Sequence, residues 1–203
     1  MGVFIMRDNR EERSMEFRLA EQTEEKSYLV RGYASTFEKY KMFTDEDGVD
    51  YYEQIAPGAF DEADMSDTVF RVDHAGTVYA RTSAGTVKVW ADEHGLANET
   101  DLSRTQKARD LYEDIAAGNY PKMSFAFVVG KDHYDRSTHT RIIDRIAKIF
   151  DISPVSFPAN PTTELSVATR DYFNGVIEAE KAERLERERR ELQKQRIRIL
   201  KGV

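Results

Sequence analysis

Two side chains in this sequence have the types and settings that acyl chemistry requires. One is His74, in Val69-Phe70-Arg71-Val72-Asp73-His74; the other is Ser124, in Pro121-Lys122-Met123-Ser124-Phe125-Ala126-Phe127. Each lies at or near the end of an apolar, β-prone run, where a rigid strand can hold a polar side chain at a surface. A serine hydroxyl is a weak nucleophile until a base within hydrogen-bond reach takes its proton. The two are far apart in sequence, so only the fold can join them. Taken singly, a strand-end histidine or a strand serine is more often structural than catalytic. Composition and spacing therefore leave a serine hydrolase open without deciding for it.

Other chemistries find less support. His94 sits in the turn-like Asp92-Glu93-His94-Gly95, and His133 and His139 fall in a polar stretch. No histidine pair has the H-E-x-x-H spacing and no zinc-type cluster appears, so no metal site is expected. The chain has no P-loop and no G-x-G-x-x-G, which removes the usual signs of nucleotide binding, and no cofactor is expected. It also lacks the G-x-S-x-G elbow of α/β-hydrolases. With no cysteine there is neither a thiol nucleophile nor a disulfide framework.

The elements that must position His74 and Ser124 are mostly strands. The chain has 203 residues, of which 40% are apolar and 33% charged, enough for one sizeable domain and an appendage. Strands are predicted over Met15–Ala20 and Tyr28–Phe37, paired around the turn-prone Glu24-Glu25-Lys26. Further strands are predicted over Thr68–Asp73, Thr77–Arg81, Thr86–Ala91, Phe125–Val129 and Arg141–Ile149. Lys41–Asp50 reads as an acidic loop, Ile55–Phe60 as a turn entering a short helix, and Asp132–Thr140 as a polar, mobile segment. Ser103–Ala117 is the clear helix: Ser103 and Gln106 match a capping box, Ala108, Leu111, Tyr112 and Ile115 form an apolar stripe, and Gly118 ends it. Trp90 is expected in the core, as are Phe60, Phe125 and Phe127. Many short strands around one helix define a β-rich α+β domain.

The end of the chain is different. From Arg170 onward there are ten Lys/Arg and seven Asp/Glu, leaving 20 Lys/Arg against 30 Asp/Glu in the rest. The segment has no proline and reads as one helix from about Tyr172 to Leu200. Leu185, Leu192 and Ile199 recur every seven residues, but charged residues fill most intervening positions, which is too thin for a strong coiled coil. The boundary is placed near Thr169, giving a domain over 1–169 and a charged helix over 170–203. The net charge of -7 argues against broad nucleic-acid binding. The apolar Met1–Met6 is too short for a signal peptide, and no segment has the length of a membrane span. A soluble intracellular protein without membrane or nucleic-acid partners is expected.

Several segments, in order, resemble the HK97-type prohead proteases of tailed bacteriophages. They are Gly32-Tyr33-Ala34-Ser35-Thr36-Phe37, Glu53-Gln54-Ile55-Ala56-Pro57-Gly58-Ala59-Phe60, Val72-Asp73-His74, Arg81-Thr82-Ser83-Ala84-Gly85-Thr86-Val87 and Asp92-Glu93-His94-Gly95-Leu96. They continue with Met123-Ser124-Phe125-Ala126-Phe127 and close on Asp151-Ile152-Ser153-Pro154-Val155-Ser156-Phe157-Pro158-Ala159-Asn160-Pro161. Each piece is weak alone; their joint order over roughly 31–161 is specific. The sequence departs from the family pattern at Ala75, where Asp or Asn often follows the histidine, and at Ala126, where glycine is frequent.

The resemblance implies a fold like that of the herpesvirus assembly proteases, a bent, closed β-barrel ringed by helices. It implies a serine endopeptidase that cleaves scaffold and capsid proteins during prohead maturation, in the host cytoplasm and inside the assembling prohead. Ser124 would be the nucleophile and His74 the general base, with Asp151 orienting the imidazole and Asp144 the fallback for that third role. Oxyanion donors would be backbone N–H groups or an arginine such as Arg141 or Arg145. The implied partners are the major capsid protein and a scaffold protein or scaffold domain, with self-association also in view. The alternative is a non-catalytic assembly protein on the same fold, acting through its C-terminal helix. Retention of both Ser124 and His74 favours the enzyme.

Overall fold

Alternating side chains build a strand-rich α+β protein with a long C-terminal helix, seen in a computed structural model that describes residues 10–16, 28–156 and 167–201. In chain order the elements are β1 (Glu11–Glu16), β2 (Leu29–Thr36), β3 (Tyr40–Thr44), β4 (Asp50–Ile55), β5 (Val69–Val72), β6 (Ala75–Arg81), β7 (Val87–Ala91), β8 (Gly95–Asp101), α1 (Gln106–Ala116), β9 (Lys122–Asp135), β10 (Thr140–Val155) and α2 (Val167–Lys201). The chain divides into two compact units, Met1–Leu165 and Ser166–Val203. Among the described residues, strand pairing gives two sheets and does not close into a barrel. One sheet runs β1-β9-β10-β4-β3, with β5 on β10 and β6 on β5; the other runs β2-β8-β7.

β10 organises the larger sheet. Its length lets it take two parallel neighbours on one side in turn, β4 at Thr140–Ile143 and then β5 at Asp151–Ile152. Its other side pairs antiparallel with β9 throughout. Parallel pairing of sequence-distant strands needs a long crossover, and here it carries β5 to the far end of β10. Phe60, Phe70, Leu96, Phe125, Phe127 and Ile146 belong to one core shared by both sheets. Helix α1 adds Ala108, Leu111, Tyr112 and Ile115 to it. Burial of each large aliphatic or aromatic side chain there contributes about 1.5–3 kcal/mol.

Several sequence expectations are corrected here. The described strand β1 lies earlier than predicted and pairs with β9, while residues 17–20 of the predicted strand and its turn at Glu24-Glu25-Lys26 lie outside the described residues. Lys41–Asp50 is not one loop: Tyr40–Thr44 is a strand paired with β4 that buries Met42. Only its acidic end turns, where Val49 N–H donates to Asp45 Oδ1 at 2.8 Å. The stretch after Ile55 makes turns and no helix, with Ala59 N–H bonded to Ala56 O. Helix α1 is capped by Thr105, whose hydroxyl accepts the Ala108 N–H, and not by Ser103. In the polar 132–140 stretch, residues 132–135 end β9 and only 136–139 form the hairpin turn into β10. Trp90 is 43% exposed on the edge strand β7. Pro158 and Pro161 lie outside the described residues.

A buried charge network ties β1 into the larger sheet. Glu11, Arg13, Glu53 and Arg141 are all buried. Arg13 donates from Nε to Glu53 Oε1 and from Nη2 to Glu53 Oε2 (2.8 Å) and Glu11 Oε2 (2.6 Å). Arg141 donates to Glu11 at 2.8 and 3.0 Å, to Glu53 at 3.2 Å and to Asp132 at 2.6 Å. Burial opposes the Arg13 charge, but Glu53, Tyr40 and Glu11 outweigh it and hold its pKa well above the ordinary arginine range. Arg141 is raised in the same way against burial, by Glu11 and Glu53. Burial and then Glu53 also push the Tyr40 phenol well up, and its O–H donates to Glu53.

Removing Glu53 would leave two buried guanidinium groups to share Glu11 alone, with Asp132 on Arg141, so one buried cation loses most of its compensation. Glu53→Ala is expected to lower the unfolding free energy by about 3–5 kcal/mol, read from urea unfolding followed by circular dichroism. A loss under 1 kcal/mol would mean that the cations find other partners without cost.

Candidate active site

The site begins with a strained turn. β5 and β6 are joined through Asp73 and His74, both in the left-handed region at φ 46° and 54°. Such a turn matches the right-handed twist of a hairpin but is normally made with Asn or Gly. Two non-glycine residues there cost roughly 1 kcal/mol or more each and persist only when surroundings over-determine them. The surroundings do so. Asp73 N–H donates to Pro154 O at 3.2 Å, and the Asp73 carboxylate accepts from Ser156 N–H (2.9 Å) and Ser156 O–H (2.8 Å). His74 N–H donates to Ser153 Oγ at 3.3 Å, and Arg71 Nη1 donates to His74 O at 2.9 Å.

Held this way, the imidazole meets both predicted partners. His74 Nδ1 lies 2.6 Å from Asp151 Oδ1, and His74 Nε2 lies 2.6 Å from Ser124 Oγ. The carboxylate can only accept, so the Nδ1–H donates to it and Nε2 is left to accept the serine O–H. Asp151 Oδ1 also accepts the Ser153 O–H at 2.7 Å. The Asp151 side chain is 3% exposed and that of His74 is 12%. Ser124 is buried in β9.

Strand register explains the alignment. In the β9–β10 ladder Ser153 opposes Ser124 and Asp151 opposes Ala126. One step earlier the ladder is irregular: Ile149 opposes Phe127, so Phe150 is an extra residue. A bulge of one residue turns every later side chain to the other face. It sends Asp151 and Ser153 to the face of Ser124 while Ile149 stays with the core. Ala126 fills the position directly across from Asp151, and its small side chain leaves the carboxylate room beside the imidazole.

The three candidate residues, Ser124, His74 and Asp151, are thus brought together. Asp144 is not at this site; it accepts from His133 Nδ1 at 2.8 Å. His139 is bonded to Tyr134 Oη at 3.1 Å and packs edge-on against Tyr51. Arg141 is engaged in the buried network, and Arg145 Nη2 donates to Gly130 O at 3.3 Å. Sequence reasoning missed Asp73, Ser153, Ser156 and Arg71 as supports, although the paired Asp-His after a strand is a signal for an Asx-type left-handed turn. It also missed Glu12, whose Oε2 lies 3.9 Å from His74 Nε2. Among the described residues no group of His, Cys, Asp and Glu is arranged to hold a metal ion, and no helix is long and apolar enough to cross a membrane.

The chain belongs to the caudovirus prohead serine protease family (Peptidase_S78), whose family model matches residues 13–175. That match spans β1 through the first turns of α2. No curated protein and no solved structure matches the chain. Membership makes it a serine protease of the phage prohead, associated with capsid components.

The Asp73 carboxylate anchors the turn that carries His74. Asp73→Ala is expected to lower stability by about 1–2 kcal/mol, a fall in Tm of a few degrees. Asp73→Asn, which tolerates the left-handed region and keeps an acceptor for Ser156, should recover most of it. Calorimetry of the two variants checks this, and equal losses would show that the carboxylate charge, and not turn geometry, matters.

Proposed function

We propose that this chain is the endopeptidase that cleaves scaffold and capsid chains within an assembling prohead, in the host cytoplasm, with Ser124 as nucleophile, His74 as general base and Asp151 as the group that orients the base. The observation that carries this reading is the unbroken chain of hydrogen bonds, 2.6 Å from Ser124 Oγ to His74 Nε2 and 2.6 Å from His74 Nδ1 to Asp151 Oδ1. In the proposed reaction Ser124 Oγ attacks the scissile carbonyl as its proton passes to Nε2. The oxyanion collapses, the C–N bond breaks, and Nε2–H protonates the leaving amine. Water then repeats the sequence on the acyl-enzyme, restoring Ser124. Asp151 stays ionised, stabilises the imidazolium and keeps the proton of the resting state on Nδ1.

On this reading the two sheets are the walls of the bent barrel that the resemblance implies, with strand order β1-β9-β10-β4-β3 on one side and β2-β8-β7 on the other. Their common core supports it. The domain is read as 1–169, with the charged helix beyond it a recruitment element for scaffold, capsid protein or further protease copies.

Removing either half of the nucleophile pair disables the same unit. Ser124→Ala and His74→Ala are each expected to lower the turnover of capsid substrate by about a millionfold, and the double variant to be little worse. Asp151→Asn should fold and lose about three to four orders of magnitude in kcat. Co-expression with the cognate major capsid protein, followed by intact-mass analysis, reads all four. Normal processing by Ser124→Ala would overturn the mechanism.

The recruitment role makes a separate demand. Leu185, Leu192 and Ile199 are exposed on α2 at seven-residue spacing. One such stripe binds a partner helix weakly, but confinement of many copies raises the effective concentration. Changing all three to Gln should leave peptide cleavage intact and reduce the number of protease copies in purified proheads, counted by quantitative mass spectrometry. Unchanged incorporation would remove the helix from recruitment.

A further inference from the structure

Glu12 holds a position beside the reacting groups that the proposed mechanism does not use. Its backbone pairs with Ala126 on β9, two residues beyond Ser124. Side chains alternate along β1, so Glu11 and Arg13 enter the buried network while Glu12 turns to the opposite face. There its side chain is 50% exposed, with Oε2 3.9 Å from His74 Nε2. The buried network fixes this register, because a slip of one residue would put Glu12 inside and Glu11 and Arg13 in water. The other acidic groups at the turn are already engaged: Asp151 with His74 and Ser153, Asp73 with Ser156.

We propose that Glu12 forms a subsite for a lysine or arginine side chain in the first residues on the leaving side of the scissile bond. The proposal rests on Ser124 and His74 acting as nucleophile and base. His74 Nε2 must hand its proton to the leaving nitrogen, so that nitrogen comes within hydrogen-bond reach of Nε2. The residues attached to it are those that follow the cut. A carboxylate oxygen 3.9 Å from the same Nε2 is within side-chain reach of those residues. It attracts a cation there and repels an anion, which sets selectivity by both terms. The domain before the tail, with 20 Lys/Arg against 30 Asp/Glu, draws basic segments toward the site as well.

The test digests a proteome-derived pool of denatured peptides with the full chain, with Glu12→Gln and with Glu12→Lys, and reads the new N-termini by mass spectrometry. The wild-type chain should enrich Lys and Arg over Gln by about fivefold at the first two positions after the cut, in keeping with a half-exposed ion pair. That preference should shrink at high salt, vanish in Glu12→Gln and turn toward Asp and Glu in Glu12→Lys. An unchanged preference in Glu12→Lys overturns the proposal. So does a uniform slowing of all cuts in both variants, which would mean that Glu12 acts only on the base. A Ser124→Ala control runs beside them: cuts that persist in it refute the nucleophile assignment itself, a result separate from any change in preference.

Discussion

Everything at the site hangs on the left-handed pair Asp73 and His74. A hairpin closed by two non-glycine residues at positive φ is a stored conformational cost. It is offset by bonds from Pro154, Ser153, Ser156 and Arg71, three of them on the segment that ends β10. The cost yields direction. A histidine at the apex of a tight turn projects across the sheet, where an ordinary strand histidine would stand beside its neighbours. Because β10 supplies both the bonds that hold the turn and the carboxylate that meets Nδ1, one strand fixes the imidazole and its acidic partner together.

Around that piece, strand alternation separates two incompatible environments by the thickness of one sheet. On one face lie phenylalanines and a paired set of buried ions; on the other lie Ser124, Asp151 and Ser153. β1 serves both faces through adjacent residues. β10 changes face by inserting Phe150, so a strand that contributes Ile143, Ile146 and Ile149 to the core goes on to contribute polar groups to the site. The buried ions are a costly way to fix a register, and an apolar edge would leave the position of β1 beside Ser124 less sharply defined.

Much of this was legible in the sequence. The α+β class, the helix stripe at Ala108, Leu111, Tyr112 and Ile115, the long C-terminal helix and the residues Ser124, His74 and Asp151 all follow from pattern or resemblance. The misreadings share a cause. Lys41–Asp50 and Asp132–Thr140 are rich in polar residues, and composition suggested loops where edge and hairpin strands in fact satisfy their backbone by pairing. Trp90 was assigned to the core by its type, although β7 is an edge strand. The pairing of β1 with β9 was hidden because adjacent strands favour hairpins and only a long-range charge network favours β9. Ser153 and Ser156 carry no signal of their own; they matter through a turn 80 residues earlier, which no local window contains.

The separations within the site have a temporal meaning. His74 meets Ser124 across 50 residues and Asp151 across 77, and in the buried network behind them Arg141 meets Glu11 across 130. Contacts of such range form late, after the loop-closure entropy has been met. During synthesis His74 emerges well before Ser124, and Ser124 before Asp151 and the segment that tightens the turn. A nascent or half-folded chain therefore has the histidine without its geometry. The bonds among His74, Ser124 and Asp151 can form only once β10 is in place, so a chain that has not reached that stage lacks the assembled site.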